Sequence, residues 1–408
     1  MRISQTPART GRTQLRAAGG VLLIAGILAM AFNLRSFITG LPPVFPELQS
    51  VLHVSSATLA VLAAVPVLCF GVFSGFGAPL SRKYGEEQVL LGALLLVVVG
   101  LLLRSAAPGA LLFPGTIIAG GGIALMNVLL PSLVKRRMPA RAGLLVGLYL
   151  AALAVGAVVA SAVAVPVFNG AGGGEPATRL TMGLWAAPAI IAAFMWLPQL
   201  RFRTLPESGP TSQVGALAMR RHALAWQVTL FMGLQSLSYY AALSWFPIMF
   251  RDHGASAAYA GTLLALMNLG NGVTALLVPV LAHRAADQRW LAAMAMAATA
   301  AGLVGAGFGP SGLAPAFVLM LGLGQGATLG LGIYYTMARA ADPVVAASLS
   351  AFTQGIGYLI ASVGPLLIGF LHTSTGGWSA PLGALLAVCA LQLVTGWLAG
   401  RARTVPAG

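Results

Sequence analysis

One guanidinium sits where a lipid-spanning chain has reason to carry none. Arg35 lies inside the apolar stretch Ile24–Leu41. A transmembrane helix needs roughly 20 apolar residues, and an arginine at its centre costs at least ~2.5–3.5 kcal/mol. Such a charge by default faces a bundle interior or a watery cavity and has a functional role. Its planar fork of donors suits a small planar anion, which can accept two parallel hydrogen bonds. At helical spacing Leu28, Phe32 and Thr39 share its face. Asn33 falls on another face and is expected to bond a neighbouring helix or its own backbone. Two structural readings compete with ligand contact. Arg35 could pair with Glu47, ~18 Å further along a straight helix, if Pro42 and Pro43 bend the chain back. It could also snorkel to the headgroups from the outer half of its helix.

Other chemistry is sparse. No aspartate or glutamate falls inside a span, and His53, His222, His253, His283 and His372 fall at span ends or in loops. This excludes a buried carboxylate relay of the kind used for proton coupling. No metal-ligand cluster, catalytic triad or cofactor motif stands out. The pattern Gly322-x-Gly324-x-x-Ala327 matches a dinucleotide fingerprint only by accident, since no strand–turn–helix surrounds it. Glycine runs at 120–122 and 322–326 instead suit close helix contact.

The elements that position Arg35 follow from hydropathy. The 408 residues are 58% hydrophobic and 8% charged, where a soluble domain would carry about a quarter charged. The fold class expected is an all-α membrane protein. Apolar runs predict six spans at about 19–44, 56–80, 87–107, 110–134, 142–167 and 180–200, and six more at about 223–249, 257–282, 289–308, 313–338, 345–371 and 379–400. The first, though preceded by Arg2, Arg9, Arg12 and Arg16, is too long for a cleaved leader and reads as a retained helix. Cys69 and Cys389 sit in apolar spans and imply no disulfide framework.

The domains expected are a six-helix bundle over 1–200, a polar connector over 201–222 containing Pro206 to Ser212, and a six-helix bundle over 223–408. With the N-terminus inside, the cytosolic segments carry nearly the whole formal charge of +15. Arg104, Arg179 and Arg251 balance Glu47, Glu175 and Asp252 in the outer segments, and no second charge is expected at the depth of Arg35. The positive-inside rule then sets both termini in the cytosol and removes nucleic acid as the reason for the basic charge. A weak internal repeat appears at an offset of 201 residues. It aligns Phe45-Pro46 with Phe246-Pro247, Ser55 with Ser256, Leu62 with Leu263 and Gly71 with Gly272. Arg35 maps onto Ser236, so the halves differ in chemistry.

Three pieces carry a family resemblance over essentially the whole chain. They are Asn33-Leu34-Arg35-Ser36 in the first span, Leu130-Pro131-Ser132-Leu133-Val134-Lys135-Arg136-Arg137 closing the fourth, and Ser350 to Tyr358 in the eleventh. The chain resembles the CynX/NimT family, the cyanate and 2-nitroimidazole transporters of the major facilitator superfamily. It departs from the family at Ser36, where proline is usual, and in Leu80-Ser81-Arg82-Lys83-Tyr84-Gly85, which lacks the aspartate of the superfamily's loop between spans two and three.

The resemblance implies two halves around a midplane site lined by the first, fourth, seventh and tenth spans. Besides Arg35, Phe32 and Thr39, the candidate substrate-binding residues are then Asn127, Gln235, Tyr239, Tyr240, Gln325, Tyr335 and Gln354. Thr328, Tyr334, Asn268, Asn271 and Tyr358 stand near them. Of the pairs Gln235/Tyr239 and Ser236/Tyr240, one is expected to face the cavity and the other the bundle. Packed aromatics and interhelical hydrogen bonds are the structural alternatives for these side chains. Trp245 reads as an interfacial anchor.

The function implied is alternating-access transport of a small anionic or polar heteroaromatic solute, not catalysis. Broad-specificity efflux and a non-transporting membrane sensor are the alternatives. No cofactor is expected. The partners expected are a small-molecule substrate and the lipid bilayer, with protons a candidate, in a monomer in the bacterial inner membrane.

Overall fold

The computed structural model describes residues 9–205, 215 and 218–406, with side chains from Gly20 onward. Arg2, the side chains of Arg9, Arg12 and Arg16, and the Pro206–Ser212 stretch of the expected connector lie outside the described residues.

Helices account for nearly all of the described chain. The first spans Arg9–Thr39 and, after a 3-10 turn at Pro42–Val44, continues in Phe45–Leu52. Then follow Ser56–Phe73 with Gly77–Tyr84, Glu86–Ala106, Pro108–Arg137 and Ala142–Gly170, and a broken sixth made of Gly174–Gly183 and Ala186–Trp196. The second set comprises Ala223–Asp252, Ala257–Arg284, Arg289–Phe308, Ala314–Ala338, Pro343–Thr375 and Ser379–Ala399. These are referred to below as the first to twelfth helices.

Among the described residues, eleven spans are long and apolar enough to cross a membrane. The seventh helix, with 30 residues, is long enough but not apolar enough, because Gln227, Gln235, Ser236, Ser238, Tyr239, Tyr240 and Ser244 dilute it. Its position resolves the conflict. Every residue from Gln235 to Pro247 is buried, so protein surrounds this stretch and the hydrocarbon penalty on its polar groups does not arise.

Within the first half, the first helix packs on the fifth and sixth, and the third on the fourth and sixth. Within the second, the seventh packs on the eleventh and twelfth, and the tenth on the eighth and ninth. The halves meet along two seams, second on eleventh helix and fifth on eighth. The repeat is physically visible here. Ser55 and Ser256 each cap the N-terminus of their helix, accepting from the backbone N–H of Thr58 and Tyr259, both at 3.2 Å. Gly71 lies against Leu359 in one seam and Gly272 against Ala154 in the other. Gly322 and Gly326 let the tenth helix touch the backbone carbonyls of Met267 and Asn271 in the eighth, where a Cβ would sit about 2 Å from each oxygen.

The two ends of the bundle differ. Near Glu47 the halves are joined by an ion pair, Arg251 Nη1 to Glu47 Oε1 at 2.6 Å. There Pro43 also packs on Gly261, and Ala60 on Gly369 beside Trp245. Thr39, Leu41, Tyr240 and Ser244 are buried on this side, while Leu28, Asn127, Pro131, Tyr334 and Gln354 toward the linker end are half-buried. The interface between the halves is therefore more fully buried toward Glu47 than toward the linker end. At that end Glu86 and Glu87, both buried, hold Arg136 and Arg137, and Glu87 also accepts from the Thr204 hydroxyl and backbone N–H.

Candidate functional site

Arg35 stands half-buried at the contact between the first and seventh helices. Its Nη1 donates to the Tyr240 hydroxyl at 3.4 Å, and its Cζ lies 5.1 Å from the Tyr239 ring centroid and 5.7 Å from that of Tyr240. The two rings meet edge-on, 5.2 Å apart at 72°. Tyr149 of the fifth helix and Tyr358 of the eleventh lie within electrostatic range of the guanidinium. Two tyrosine rings of the seventh helix therefore lie against one cation. Glu47 is engaged by Arg251, and among the described residues no carboxylate pairs with Arg35. Aromatic faces partly compensate a cation, worth ~0.5–2 kcal/mol each, but they leave the hydrogen-bonding fork largely free.

Both tyrosines of the seventh helix face Arg35, so neither of the two i, i+4 pairs acts as a unit. Consecutive residues are separated by about 100° round a helix, and the guanidinium sits over the seam between them. Gln235 and Ser236 point away together: Ser236 donates to Gln235 Oε1 at 3.1 Å, and Gln235 Nε2 to the Gln325 carbonyl at 3.3 Å. Gln325 donates to Ser238 at 3.4 Å, and its Oε1 is buried without a partner. These residues join the seventh helix to the tenth.

The Tyr239 hydroxyl donates to Asn268 Oδ1 at 2.8 Å, and Asn268 Nδ2 donates to Ser161 Oγ at 3.0 Å across the fifth–eighth seam. Thr39 returns its hydroxyl to the Arg35 carbonyl at 2.9 Å, so its side chain is turned into its own helix. Asn33 likewise bonds the Ala29 carbonyl. Phe32 tilts against Trp185 with centroids 6.5 Å apart, half-buried one turn below Arg35. Asn127 is half-buried, and among the described residues no side-chain hydrogen bond engages it. Gln354 donates to Ser350 at 2.9 Å on the less buried side, and Tyr358, one turn on, packs edge-on against Phe70 at 5.3 Å.

Tyr335 is not brought to this group. It packs between Phe231 and Tyr334 in a separate apolar cluster, with the Arg339 guanidinium 5.2 Å from its ring. The spacing of the tenth helix carries Tyr335 to the linker end, beyond reach of Arg35. Trp245 is no interfacial anchor: it is 1% exposed and donates to the Pro365 carbonyl at 2.9 Å. Arg104, expected in an outer segment, is 1% exposed in the last turn of the third helix, covered by protein and not by water. Tyr149 was not anticipated by the sequence reading. It lies on the fifth helix, outside the set the resemblance implied, and its signal was a lone tyrosine within an otherwise apolar span.

The Major Facilitator Superfamily model matches residues 21–365. The chain is 37% identical over 396 residues to the 2-nitroimidazole transporter of Escherichia coli, covering 97% of this chain and 100% of that protein. It is 31% identical over 353 residues to the cyanate transport protein CynX of the same organism, covering 86% and 90% of the two chains. Among solved structures, it superposes with a TM-score of 0.74 and 16% identity on a bacterial homologue of the human lysosomal transporter Spinster, covering 96% of this chain and 99% of that one.

Proposed function

The chain belongs to the Major Facilitator Superfamily, among the 2-nitroimidazole and cyanate transport proteins, and from that premise we propose that it carries a small monoanion or an acceptor-rich planar heteroaromatic, with Arg35 as the attracting charge. The observation that carries this reading is a guanidinium within an apolar span, with no carboxylate partner among the described residues and with the Tyr239 and Tyr240 rings beside it. The fork donates to the solute's acceptors, and the Tyr239 and Tyr240 rings stack on or edge against a flat solute. The names of the relatives, one a nitroimidazole and one a linear anion, share this demand for acceptors on a small frame. Asn127 and Gln354, half-buried toward the linker end, are the polar groups met on the way.

The two six-helix halves, 1–200 and 223–408, rock about the occupied site, opening in turn toward Glu47 and toward the linker. The excess of basic residues in the linker-side segments supports a cytosolic linker and cytosolic termini in a bacterial inner membrane, so the less buried side of the site would face inward. A monoanion moving in against an inside-negative potential loses about 2.3 kcal/mol per 100 mV. Import of an anion then needs a co-transported proton or consumption inside, and export needs neither. We infer a monomer as the transporting unit, since each chain holds a complete set of site residues.

The test is binding and flux measured together. Cyanate and 2-nitroimidazole are titrated onto purified protein by thermal shift, and uptake is followed in liposomes, for the wild type and for Arg35→Gln. Loss of a charge-assisted contact worth about 1.5–3 kcal/mol weakens binding roughly 10–150-fold. Unchanged affinity and flux in Arg35→Gln would make the arginine structural and refute the assignment.

A further inference from the structure

Among the described residues two arginines, Arg104 and Arg339, are buried, and they are not alike. Arg339, 5% exposed, donates to the carbonyls of Ala399 and Gly400 and to Gln288 Oε1, and so caps the end of the twelfth helix with its donors engaged. Arg104, 1% exposed in the last turn of the third helix, makes one long hydrogen bond, from Nη2 to the Met182 carbonyl at 3.4 Å. Its Nε is buried without a partner. Phe37 lies beneath it, with Cζ 4.8 Å from the ring centroid. Among the described residues no carboxylate forms an ion pair with it.

The charge is therefore under-compensated. The Met182 carbonyl belongs to the last turn of Gly174–Gly183, and such a helix end offers about half an elementary negative charge. The Phe37 face adds a weak quadrupole attraction. Taking a guanidinium out of water is repaid only when its remaining donors find acceptors. The place for an acceptor adjoins it. Arg104 lines a small cavity together with Phe37, Phe45, Ala63, Thr116 and Ser244, with about the room of a single water molecule. The hydroxyls of Thr116 and Ser244 bond the carbonyls of Leu112 and Tyr240, at 2.6 and 2.8 Å. A hydroxyl hydrogen rotates to suit, so either can turn from its carbonyl to an anion.

We propose that this cavity is a second anion site, sized for a halide-like monoanion, with Arg104 as its binding residue. It is separate from the substrate site. Phe37 is two residues from Arg35, about 200° round the first helix, so the two guanidinia address opposite faces of that helix. A nitroimidazole or a carboxylate is too large for the Arg104 cavity. The ion there neutralises the packing of the third and sixth helices behind the first helix, and the proposal stands whether or not Arg35 binds substrate.

The test is thermal unfolding of the purified full chain in sodium chloride, sodium bromide and sodium gluconate at one ionic strength, with ⁸¹Br NMR linewidth as a direct readout. Wild type and Arg35→Gln are expected to unfold at higher temperature in the halides than in gluconate and to broaden the bromide line. Arg104→Gln is expected to lose both effects. Arg104→Lys, which keeps the charge, should need a higher halide concentration for the same shift. Ala63→Val, which fills the cavity and leaves the charge in place, should do the same and decides the matter if Arg104→Gln does not fold. Equal unfolding temperatures in halide and gluconate for the wild type overturn the proposal. So does a halide response that Ala63→Val leaves unchanged, or one that Arg35→Gln abolishes.

Discussion

The ion pair between Glu47 and Arg251 is the one direct charge contact between the halves in the described chain, and its removal should open the end it closes. The side chains are 16% and 26% exposed and meet at 2.6 Å. At an effective dielectric of ~20 the bare attraction at that separation is about 6 kcal/mol. Most of that is offset by the water both groups give up, and the net worth of a charge-assisted contact is about 1.5–3 kcal/mol. Glu47 Oε2 is buried without a partner, which places this pair toward the lower half of the range. Taking about 2 kcal/mol, Glu47→Gln shifts the balance between closed and open forms of this end roughly 30-fold. The readout is alkylation of a thiol placed at Leu41, which is 5% exposed behind the pair. Native Cys69 and Cys389 are both buried, so background labelling is low. Leu41→Cys should label about 30 times faster with Glu47→Gln added, equally fast with Arg251→Gln, and no faster with both. The exchanged pair Glu47→Arg with Arg251→Glu should slow labelling again. If the two single effects multiply in the double variant, the residues act independently and the latch does not exist.

Two further predictions concern the tyrosines and the tight helix contacts. Tyr240→Phe removes a hydroxyl that meets Arg35 at 3.4 Å and keeps the ring, so substrate affinity should change by less than about threefold. Tyr239→Phe leaves Asn268 Oδ1 without its 2.8 Å donor, and should lower the unfolding temperature as well as affinity when both are measured on the same preparation. Gly326→Leu drives a side chain into the Asn271 carbonyl, about 2 Å from the new Cβ, where no rotamer relieves a backbone clash. Overpacking of this kind costs at least about 1–3 kcal/mol, so folded yield in size-exclusion chromatography should collapse, whereas Gly355→Ala, which meets nothing, should leave it unchanged.

Much of this architecture was legible in the sequence because a membrane makes the rules strict. Apolar runs of sufficient length had to be helices, and the offset of 201 residues between Ser55 and Ser256 is the distance between two equivalent N-caps. Arg35 was legible as a candidate for the same reason: a charge inside an apolar span needs an account. Its tyrosine surroundings were only partly legible. Tyr239 and Tyr240 were found because they fall on the seventh helix, but sequence spacing could not say that the guanidinium would straddle both. Tyr335 satisfied the same criteria of type and helix and lies elsewhere, since a helix places residues ten positions apart about 15 Å from one another. Gln325 and Tyr335 share a helix and therefore cannot both reach Arg35.

Arg104 shows where reading from hydropathy stops. It stands near the end of an apolar run, followed by Ser105, Ala106, Ala107 and Pro108, and nothing in that pattern separates it from a cation that ends a span in water. Whether such a residue is wet depends on what another segment lays over it. Here the sixth helix breaks after Gly183, and the turn of helix before the break presents the Met182 carbonyl to the guanidinium while the first helix presents Phe37 from below. Both covers come from residues more than 60 positions away in sequence. The seventh helix is the converse case: it is too polar to be read as a lipid-facing span, and its polar residues from Gln235 to Ser244 are buried in protein. Hydropathy measures what a segment would meet in lipid, so it misjudges in both directions those segments that meet protein instead. Those are also the segments around which this chain gathers its polar chemistry.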